Sequence, residues 1–317
     1  MHTGLSVQGQ TTLTGRADTA SMTIPRRTRP QFASASVAVV VVSLLVAGCS
    51  GSDTSAPSSP TPSSGSDSSA VSTQAAVKGA SWGTSVSLSY ANGMVNVKAN
   101  GIPNHERQSK YALPDDGVMV PDSSTSYIAV DPTRTQDYDF SIPTTPIYSE
   151  TTTAAPLGSI GMVISGAVLF NPYEGDNSTV AMASNFYLTD SDGTKVYFVD
   201  ACSGHPTPVG EYHYHAGSSC VTKQIDTESG PSHLIGLALD GFPIYGARDV
   251  NGNEIPASAL DECNGITSAT PEFPEGIYHY VLPNTTDETS SIRCFHGEVD
   301  ASQIQQMPNM GPMPAMG

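Results

Sequence analysis

Basic residues are scarce in this chain of 317 residues, which has 13 lysines and arginines against 30 aspartates and glutamates. The formal net charge is −17. Residues 1–48 carry four arginines and one aspartate, so the rest of the chain has a net charge near −20. Such a surface repels phosphate groups, which argues against nucleic acid as a partner.

Several signatures of catalysis and metal binding are also missing. The chain has no G-x-S-x-G elbow, P-loop, dinucleotide-binding fingerprint or H-E-x-x-H motif. It has no C-x-x-C pair either, which argues against a zinc site built from thiolates. No substrate can therefore be named from a motif.

No apolar run is long enough for a membrane span, but a shorter one lies near the N-terminus. Ala33 to Val46 follows three arginines and has the length of a signal-peptide core. It ends in Val46-Ala47-Gly48-Cys49, which resembles a bacterial lipobox. By that resemblance, residues 1–49 are a signal peptide and Cys49 is lipidated, which makes the membrane a partner. The alternative is an ordinary secretory signal with a chance cysteine.

Composition divides the remaining chain into three parts. Residues 50–77 are rich in Ser, Thr and Pro and predict a disordered linker. Residues 78–303 have the length of one β-rich domain. Residues 304–317 predict a disordered Met/Pro tail, although methionine at every third position also suits Cu(I).

The fold class follows from many short strand signals and few helix signals. The chain has 24 prolines and 29 glycines, and its apolar runs are short and often alternate with polar residues. Asn92-Gly93 between two alternating runs predicts a hairpin with a type I′ turn. We expect a mainly β single domain of short antiparallel strands, a sandwich or an irregular barrel, with long loops and few short helices.

One motif, P-x-G-x-Y-H-Y, occurs twice. It covers residues 208–214 and 274–280, 66 residues apart. Proline and glycine mark a turn, and the Tyr/His alternation has the period of a strand. His213 and His215 then point to the same side, with Cα atoms about 6.6 Å apart. Two imidazoles so placed can reach one ion through bonds of about 2.0–2.1 Å.

These histidines predict a transition-metal site for copper or zinc. If the two copies pair or face each other, His213, His215 and His279 form a face of three imidazoles, with His205 and His233 as secondary candidates. Imidazole suits both metals, and the methionine tail favours copper slightly. Three histidines with an open position are typical of a binding or catalytic site. A neutral hydrogen-bonded network of histidines and tyrosines is the alternative.

Four cysteines remain after Cys49. An even number in an exported chain favours two disulfides, with three possible connectivities. We favour Cys202–Cys220 and Cys263–Cys294, because each closes a short loop around one copy of the motif. Thiolate ligation of a metal is the competing interpretation.

Five ordered blocks give the region of about residues 160–297 a resemblance to the YHYH protein family. They are Asp200-Ala-Cys-Ser-Gly-His-Pro206, Gly210-Glu-Tyr-His-Tyr-His215, Gly236-Leu-Ala-Leu-Asp-Gly-Phe-Pro-Ile-Tyr-Gly246, Leu260-Asp-Glu-Cys-Asn-Gly265 and Cys294-Phe-His-Gly297. The resemblance implies an exported bacterial domain with its cysteines at family positions, and no established reaction. In the second motif copy, Val281 stands where the family often has a histidine.

Three functions remain open. The leading hypothesis is an exported, membrane-anchored lipoprotein, at the cell surface or in the periplasm, whose domain binds the metal. The second is a metal-dependent hydrolase or oxidoreductase with Asp240 or Glu262 as general base. The third is a metal-free carbohydrate-binding or adhesion module, which requires an exposed stacking surface made of the motif tyrosines. These are Tyr212, Tyr214, Tyr278 and Tyr280.

Overall fold

The computed structural model describes residues 70–304. The expected signal peptide with Cys49, most of the expected linker and the Met/Pro tail from residue 305 onwards lie outside the described residues. A helix at Gln74–Gly79 places the fully buried Val77 in the core. The folded part therefore includes residues that the composition assigns to the linker. No helix within residues 70–304 combines the length and apolar character of a membrane span.

Short strands dominate the described chain. The strands are β1 (Val86–Ala91), β2 (Met94–Ala99), β3 (Lys110–Pro114), β4 (Ser126–Val130), β5 (Tyr138–Pro143), β6 (Thr153–Ala154), β7 (Gly161–Val163), β8 (Val168–Leu169), β9 (Tyr187–Thr189), β10 (Lys195–Tyr197), β11 (Gly204–Pro206), β12 (Tyr212–Tyr214), β13 (Leu234–Ala238), β14 (Pro243–Tyr245), β15 (Gly265–Ser268), β16 (Ile277–Val281) and β17 (Cys294–Phe295). The helices are α1 (Gln74–Gly79) and α2 (Ser219–Thr222), with 3-10 helices at Ala257–Ala259, Glu288–Ser290 and Ala301–Gln303. The predicted mainly β fold with few short helices is confirmed.

The predicted Asn-Gly hairpin joins β1 and β2. Asn92 and Gly93 have φ angles of 53° and 76°, as a type I′ turn requires at both central residues. The strands pair antiparallel up to Ala91 and Met94, next to the turn. β2 also pairs with β5, and its fully buried Val95 and Val97 join the main core.

The largest sheet has eight strands in the order β11-β12-β8-β7-β13-β14-β16-β15 and curls into a half-barrel. Its pairs β8–β12 and β14–β16 are parallel, whereas the others are antiparallel. The sheet is therefore mixed, where the sequence predicted antiparallel strands. The segment between residues 169 and 212 is long enough for the crossover that a parallel pair needs.

The strand order is symmetric about the centre of this sheet. From its outer edge inward, the first half runs β11-β12-β8-β7 and the second runs β15-β16-β14-β13. At the centre, Ile164 N–H donates to the Ile235 carbonyl at 2.8 Å, and Leu239 N–H donates to the Ile160 carbonyl at 3.1 Å. The sheet thus consists of two copies of one four-stranded unit, related by a pseudo-two-fold axis between β7 and β13.

An aspartate organises the turn before the outermost strand of each copy. In the first copy, Asp200 Oδ1 accepts from the N–H groups of Cys202 and Gly204, and Oδ2 accepts from the Tyr212 hydroxyl. The second copy repeats these bonds with Asp261, Cys263, Gly265 and Tyr278. Because four residue types recur with the same bonds, the two motif copies occupy equivalent places in the fold.

Two disulfides, Cys202–Cys220 and Cys263–Cys294, close corresponding loops of the two copies. Of the three possible connectivities, the favoured one is confirmed. Disulfides form and persist in oxidising compartments, so they indicate an extracytoplasmic location.

Candidate metal centre

His213 lies on strand β12, and His215 follows directly after the strand. His213 and His215 are both buried, with exposed fractions of 3% and 2%. Because side chains alternate along a strand, both rings lie on one side of the sheet. Their Nε2 atoms are 3.0 Å apart.

Backbone carbonyls determine which nitrogen of each ring carries the proton. His213 Nδ1 lies 3.1 Å from the Glu211 carbonyl oxygen, and His215 Nδ1 lies 2.7 Å from that of Asn171. A carbonyl oxygen only accepts, so both Nδ1 atoms are protonated. Both Nε2 atoms therefore present lone pairs to each other. Two ligands of one tetrahedral ion with bonds of 2.0–2.1 Å lie about 3.3–3.4 Å apart, so the two Nε2 atoms need to separate by only about 0.3 Å to hold one ion.

His205 completes the cluster from the neighbouring strand. It lies directly opposite His213 in the antiparallel pair β11–β12. Its exposed fraction is 6%, and neither of its ring nitrogens makes a hydrogen bond. One ligand nitrogen from each of His205, His213 and His215 lies within 4.8 Å of the other two. Buried polar atoms without partners are rare in folded proteins, and a metal ion is one kind of partner that satisfies such atoms.

Burial keeps all three imidazoles neutral. It is the main cause that lowers the pKa of His205 and His213 well below the usual histidine value, and neighbouring histidines lower both further. Burial also lowers the pKa of His215 to about 4, against a smaller opposing effect of its bond to Asn171. An imidazolium proton is therefore a poor bridge between the facing Nε2 atoms near neutral pH. Neutral imidazole is the form of histidine that serves as a metal ligand.

Two other clusters of potential ligands occur within residues 70–304, and both depend on cystine sulfurs. One contains His105 with Cys202 and Cys220, and the other contains Asp261, Cys263 and His296. Their sulfurs are already bonded to each other or to Cys294, so they offer no thiolate. Of the three clusters, the one on β11 and β12 is therefore the only one with three free donors.

His279 does not join this cluster, which corrects the predicted ligand set. It lies on β16, five strand positions from β12 and about 24 Å away along the sheet. It is the structural counterpart of His213, with its Nδ1 2.9 Å from the Ile277 carbonyl. The counterparts of the other two imidazoles are Ile266 and Val281. The second copy therefore holds one imidazole where the first holds three.

His233 also lies away from the cluster. Its Nδ1 is 3.0 Å from Glu272 Oε1, and its side chain is 42% exposed. At the protein surface, the partner of the His233 ring is thus the Glu272 carboxylate and not a metal ligand set.

The predicted general bases, Asp240 and Glu262, belong to the second copy. Asp240 is 1% exposed, and its Oδ2 accepts from the Tyr280 hydroxyl at 2.6 Å and the Gly297 N–H at 3.0 Å. Glu262 has a side chain that is 67% exposed, near His296. Neither carboxylate lines the cavity at the first copy's histidines, so neither is positioned to serve this cluster.

The four motif tyrosines are buried rather than displayed. Tyr212, Tyr214, Tyr278 and Tyr280 have exposed fractions of 0–6%. Their hydroxyls bond to buried or half-buried groups, among them Asp200, Ser165, Asp261 and Asp240. They do not form the exposed stacking surface that a metal-free adhesion module requires.

The three clustered histidines line a cavity of about 350 Å³, together with Glu174. Glu174 is 7% exposed, and its Oε1 accepts a hydrogen bond from Ser184 at 3.2 Å. Burial raises its pKa to about 7, the Ser184 bond opposes this shift, and the charge of Asp176 adds to it. No lysine, arginine or histidine within residues 70–304 forms an ion pair with this carboxylate.

Glu174 is the functional candidate that the sequence did not reveal. It lies in the loop after β8, with no motif around it. The parallel pair β8–β12 brings the ends of both strands to one edge of the sheet, so this loop follows beside His215. The position of His205, by contrast, could have been read from the sequence. His205 and His213 are each four residues from Val209, which lies in the turn between β11 and β12, so a hairpin centred on Val209 pairs the two histidines.

The buried carboxyl predicts a pH-dependent difference between the metal-free protein and its Glu174→Gln variant. The pKa of Glu174 is about 7 in the folded state, above the ordinary value of 4.5, so folding favours its protonated form. The stability that the protonated carboxyl contributes is therefore complete below pH 4.5 and is lost as the pH rises through 7. At pH 8 we expect the variant to exceed the wild type by about 3 kcal/mol in free energy of unfolding. At pH 4.5 that gain should vanish.

Urea denaturation of both proteins at several pH values measures this difference, and other titrating groups cancel in the comparison. The exposed Glu275→Gln is the matched control and should show no such trend. Parallel curves for wild type and Glu174→Gln would contradict a raised pKa at this carboxyl.

The region that contains the histidine cluster is similar to a known protein family. A sequence model of the YHYH protein family matches residues 139–254 and 249–297, which is half of the chain. The matched residues include the three histidines, Glu174 and both disulfides. No curated protein and no solved structure matches the chain. The family match confirms the resemblance seen in the sequence, and the chain belongs to the YHYH protein family.

Proposed function

We propose that this domain binds one transition-metal ion, zinc or copper, through the Nε2 atoms of His213 and His215 and one ring nitrogen of His205. The observation that carries the proposal is the pair of facing Nε2 lone pairs 3.0 Å apart. The fold holds the rings in this arrangement through carbonyl bonds at both Nδ1 atoms. Histidines that bind metals are commonly oriented in this way, by a hydrogen bond from the ring nitrogen that does not contact the metal. The unpartnered ring of His205 supplies the third donor.

The number of donors supports a site with an open position. No further histidine, cysteine or carboxylate within residues 70–304 joins the cluster of mutually close donors. Structural zinc sites are usually closed by four protein ligands, whereas sites for chemistry keep a position for water or substrate. Imidazole ligands suit zinc and copper and disfavour magnesium and calcium.

We also propose that this domain lies outside the cytoplasm and is attached to the membrane by lipid on Cys49. The lipobox-like residues 46–49 and the two disulfides support it. Labelling of producing cells with a radioactive fatty acid tests the anchor. Wild-type protein should carry label and Cys49→Ser should carry none, and equal labelling of both would refute the anchor.

Calorimetric titration of chelator-treated, disulfide-intact protein tests metal binding. We expect one equivalent of Zn(II) or Cu(II) to bind per chain and no binding of Mg(II). At free metal a hundredfold above Kd, the folded state should gain about 2.7 kcal/mol, and a chelator should reverse the gain. Absence of saturable binding for both metals would reject the proposal.

A further inference from the structure

The cavity that the histidine cluster lines also has a carboxylate in its wall that is not one of the cluster's donors. Glu174 lines the same cavity as His205, His213 and His215. It does not belong to the group of donors within 4.8 Å of one another. A metal held by the three imidazoles thus keeps an open position, and Glu174 lies in the wall of the same cavity.

The rest of the lining indicates what kind of molecule this space accepts. Much of it is apolar or aromatic, including Phe170, Phe198, Met119 and Leu157. Its charged members are acidic, namely Asp115, Asp116 and Glu174, and it contains no lysine or arginine. A divalent ion on the three neutral imidazoles would bring two positive charges against these three carboxylates, so the cavity with all three ionised stays net negative and disfavours anions, while apolar walls favour uncharged groups. Phosphates and carboxylic acids are therefore poor occupants.

We infer that the protein hydrolyses uncharged esters or amides that carry an apolar group, and that these bind in this cavity with Glu174 as the proton carrier. This inference rests on the metal site proposed above. Water at the metal's open position gives a proton to the Glu174 carboxylate. The resulting hydroxide would form a C–O bond to the carbonyl carbon while the carbonyl π electrons move onto the carbonyl oxygen. The π bond would then re-form as the bond to the leaving group breaks, and Glu174 would return the proton to that group, which gives one carboxylic acid and one alcohol or amine. The step consumes one water and needs no oxidant or reductant.

The surroundings of Glu174 suit this role. A proton carrier works best when its pKa is near the working pH, because it must both accept and release the proton. Burial raises the pKa of Glu174 to about 7. Ser184 holds one carboxylate oxygen through its hydroxyl, which limits the orientations of the group.

The experiment compares zinc-loaded wild type, Glu174→Gln and the surface control Glu275→Gln. The probes are 4-nitrophenyl acetate, an uncharged ester, and 4-nitrophenyl phosphate, an anion with the same leaving group. Bound zinc is measured on each protein after removal of free metal. We expect all three proteins to hold one zinc per chain. Ester hydrolysis should fall at least a hundredfold in Glu174→Gln and stay unchanged in Glu275→Gln.

The possible results distinguish failure of the hydrolytic role from failure of the metal site. Wild-type protein that holds neither zinc nor, after parallel loading, copper would reject the metal site itself. Bound zinc with no ester hydrolysis above the rate of free zinc, or with equal rates in Glu174→Gln, would overturn the hydrolytic role and leave the metal site standing. Loss of zinc in Glu174→Gln would make this residue a ligand and overturn its proton-carrying role. Phosphate ester hydrolysis as fast as acetate hydrolysis would overturn the substrate class.

Discussion

Replacing His213 and His215 together by alanine is expected to weaken Zn(II) or Cu(II) binding at least a thousandfold. The double variant removes two of three ligands, and His205 alone offers a single nitrogen to the ion. A loss of this size corresponds to about 4 kcal/mol of binding free energy. Metal content after dialysis should fall from one equivalent per chain to none, and calorimetric titration should show no saturation.

The internal duplication supplies a matched control, His279→Ala. His279 is the counterpart of His213, is equally buried and makes the same type of Nδ1 bond to a carbonyl. Its replacement therefore perturbs an equivalent strand and removes an equivalent ring, yet metal binding should be unchanged. Retention of metal by the double variant, or loss of metal from folded His279→Ala, would contradict the assignment of ligands to the first copy.

The second large effect is expected at Asp200, where alanine should destabilise the protein by about 4–5 kcal/mol. Its carboxylate accepts from the N–H groups of Cys202 and Gly204 and from the hydroxyls of Tyr111 and Tyr212. The side chain is buried, so its removal leaves four donors without an acceptor. Urea denaturation of the oxidised proteins measures the loss, with an unchanged m value showing that a two-state comparison holds.

Asp261→Ala is the matched control for this loss, because Asp261 occupies the same place in the second copy. Its carboxylate accepts from three donors, and its side chain is 25% exposed, so water can replace part of what is lost. We expect it to cost about half as much as Asp200→Ala. An equal or larger loss for Asp261→Ala would show that burial does not set the cost at these turns.

Local features of the fold were predictable because they depend on neighbouring residues. The Asn92-Gly93 turn follows from the backbone angles that this pair tolerates, and the structure confirms it. The period of two along Tyr212 to His215 predicted that both histidines share a side, and the structure brings them together. The short loops around each motif copy predicted the disulfide pairing.

The remaining features depend on strand order, which a single sequence does not reveal. The two motif copies lie apart because the inner strands β7 and β13 pair across the pseudo-two-fold axis, which leaves β12 and β16 near opposite edges. His279 is separated from His213 for that reason. His205 instead reaches the cluster through a hairpin, and Glu174 through the loop after a parallel strand. Parallel pairing is set by a long crossover and leaves no local pattern.

A crystal structure of the zinc-loaded protein, with anomalous diffraction data on both sides of the zinc absorption edge, is the most direct test. A zinc peak should lie about 2.0–2.1 Å from the Nε2 atoms of His213 and His215 and from one ring nitrogen of His205, with a water or other small ligand in the fourth position. An absent peak at full zinc loading, or a peak at His279 or between Asp261 and His296, would contradict the metal centre on β11 and β12.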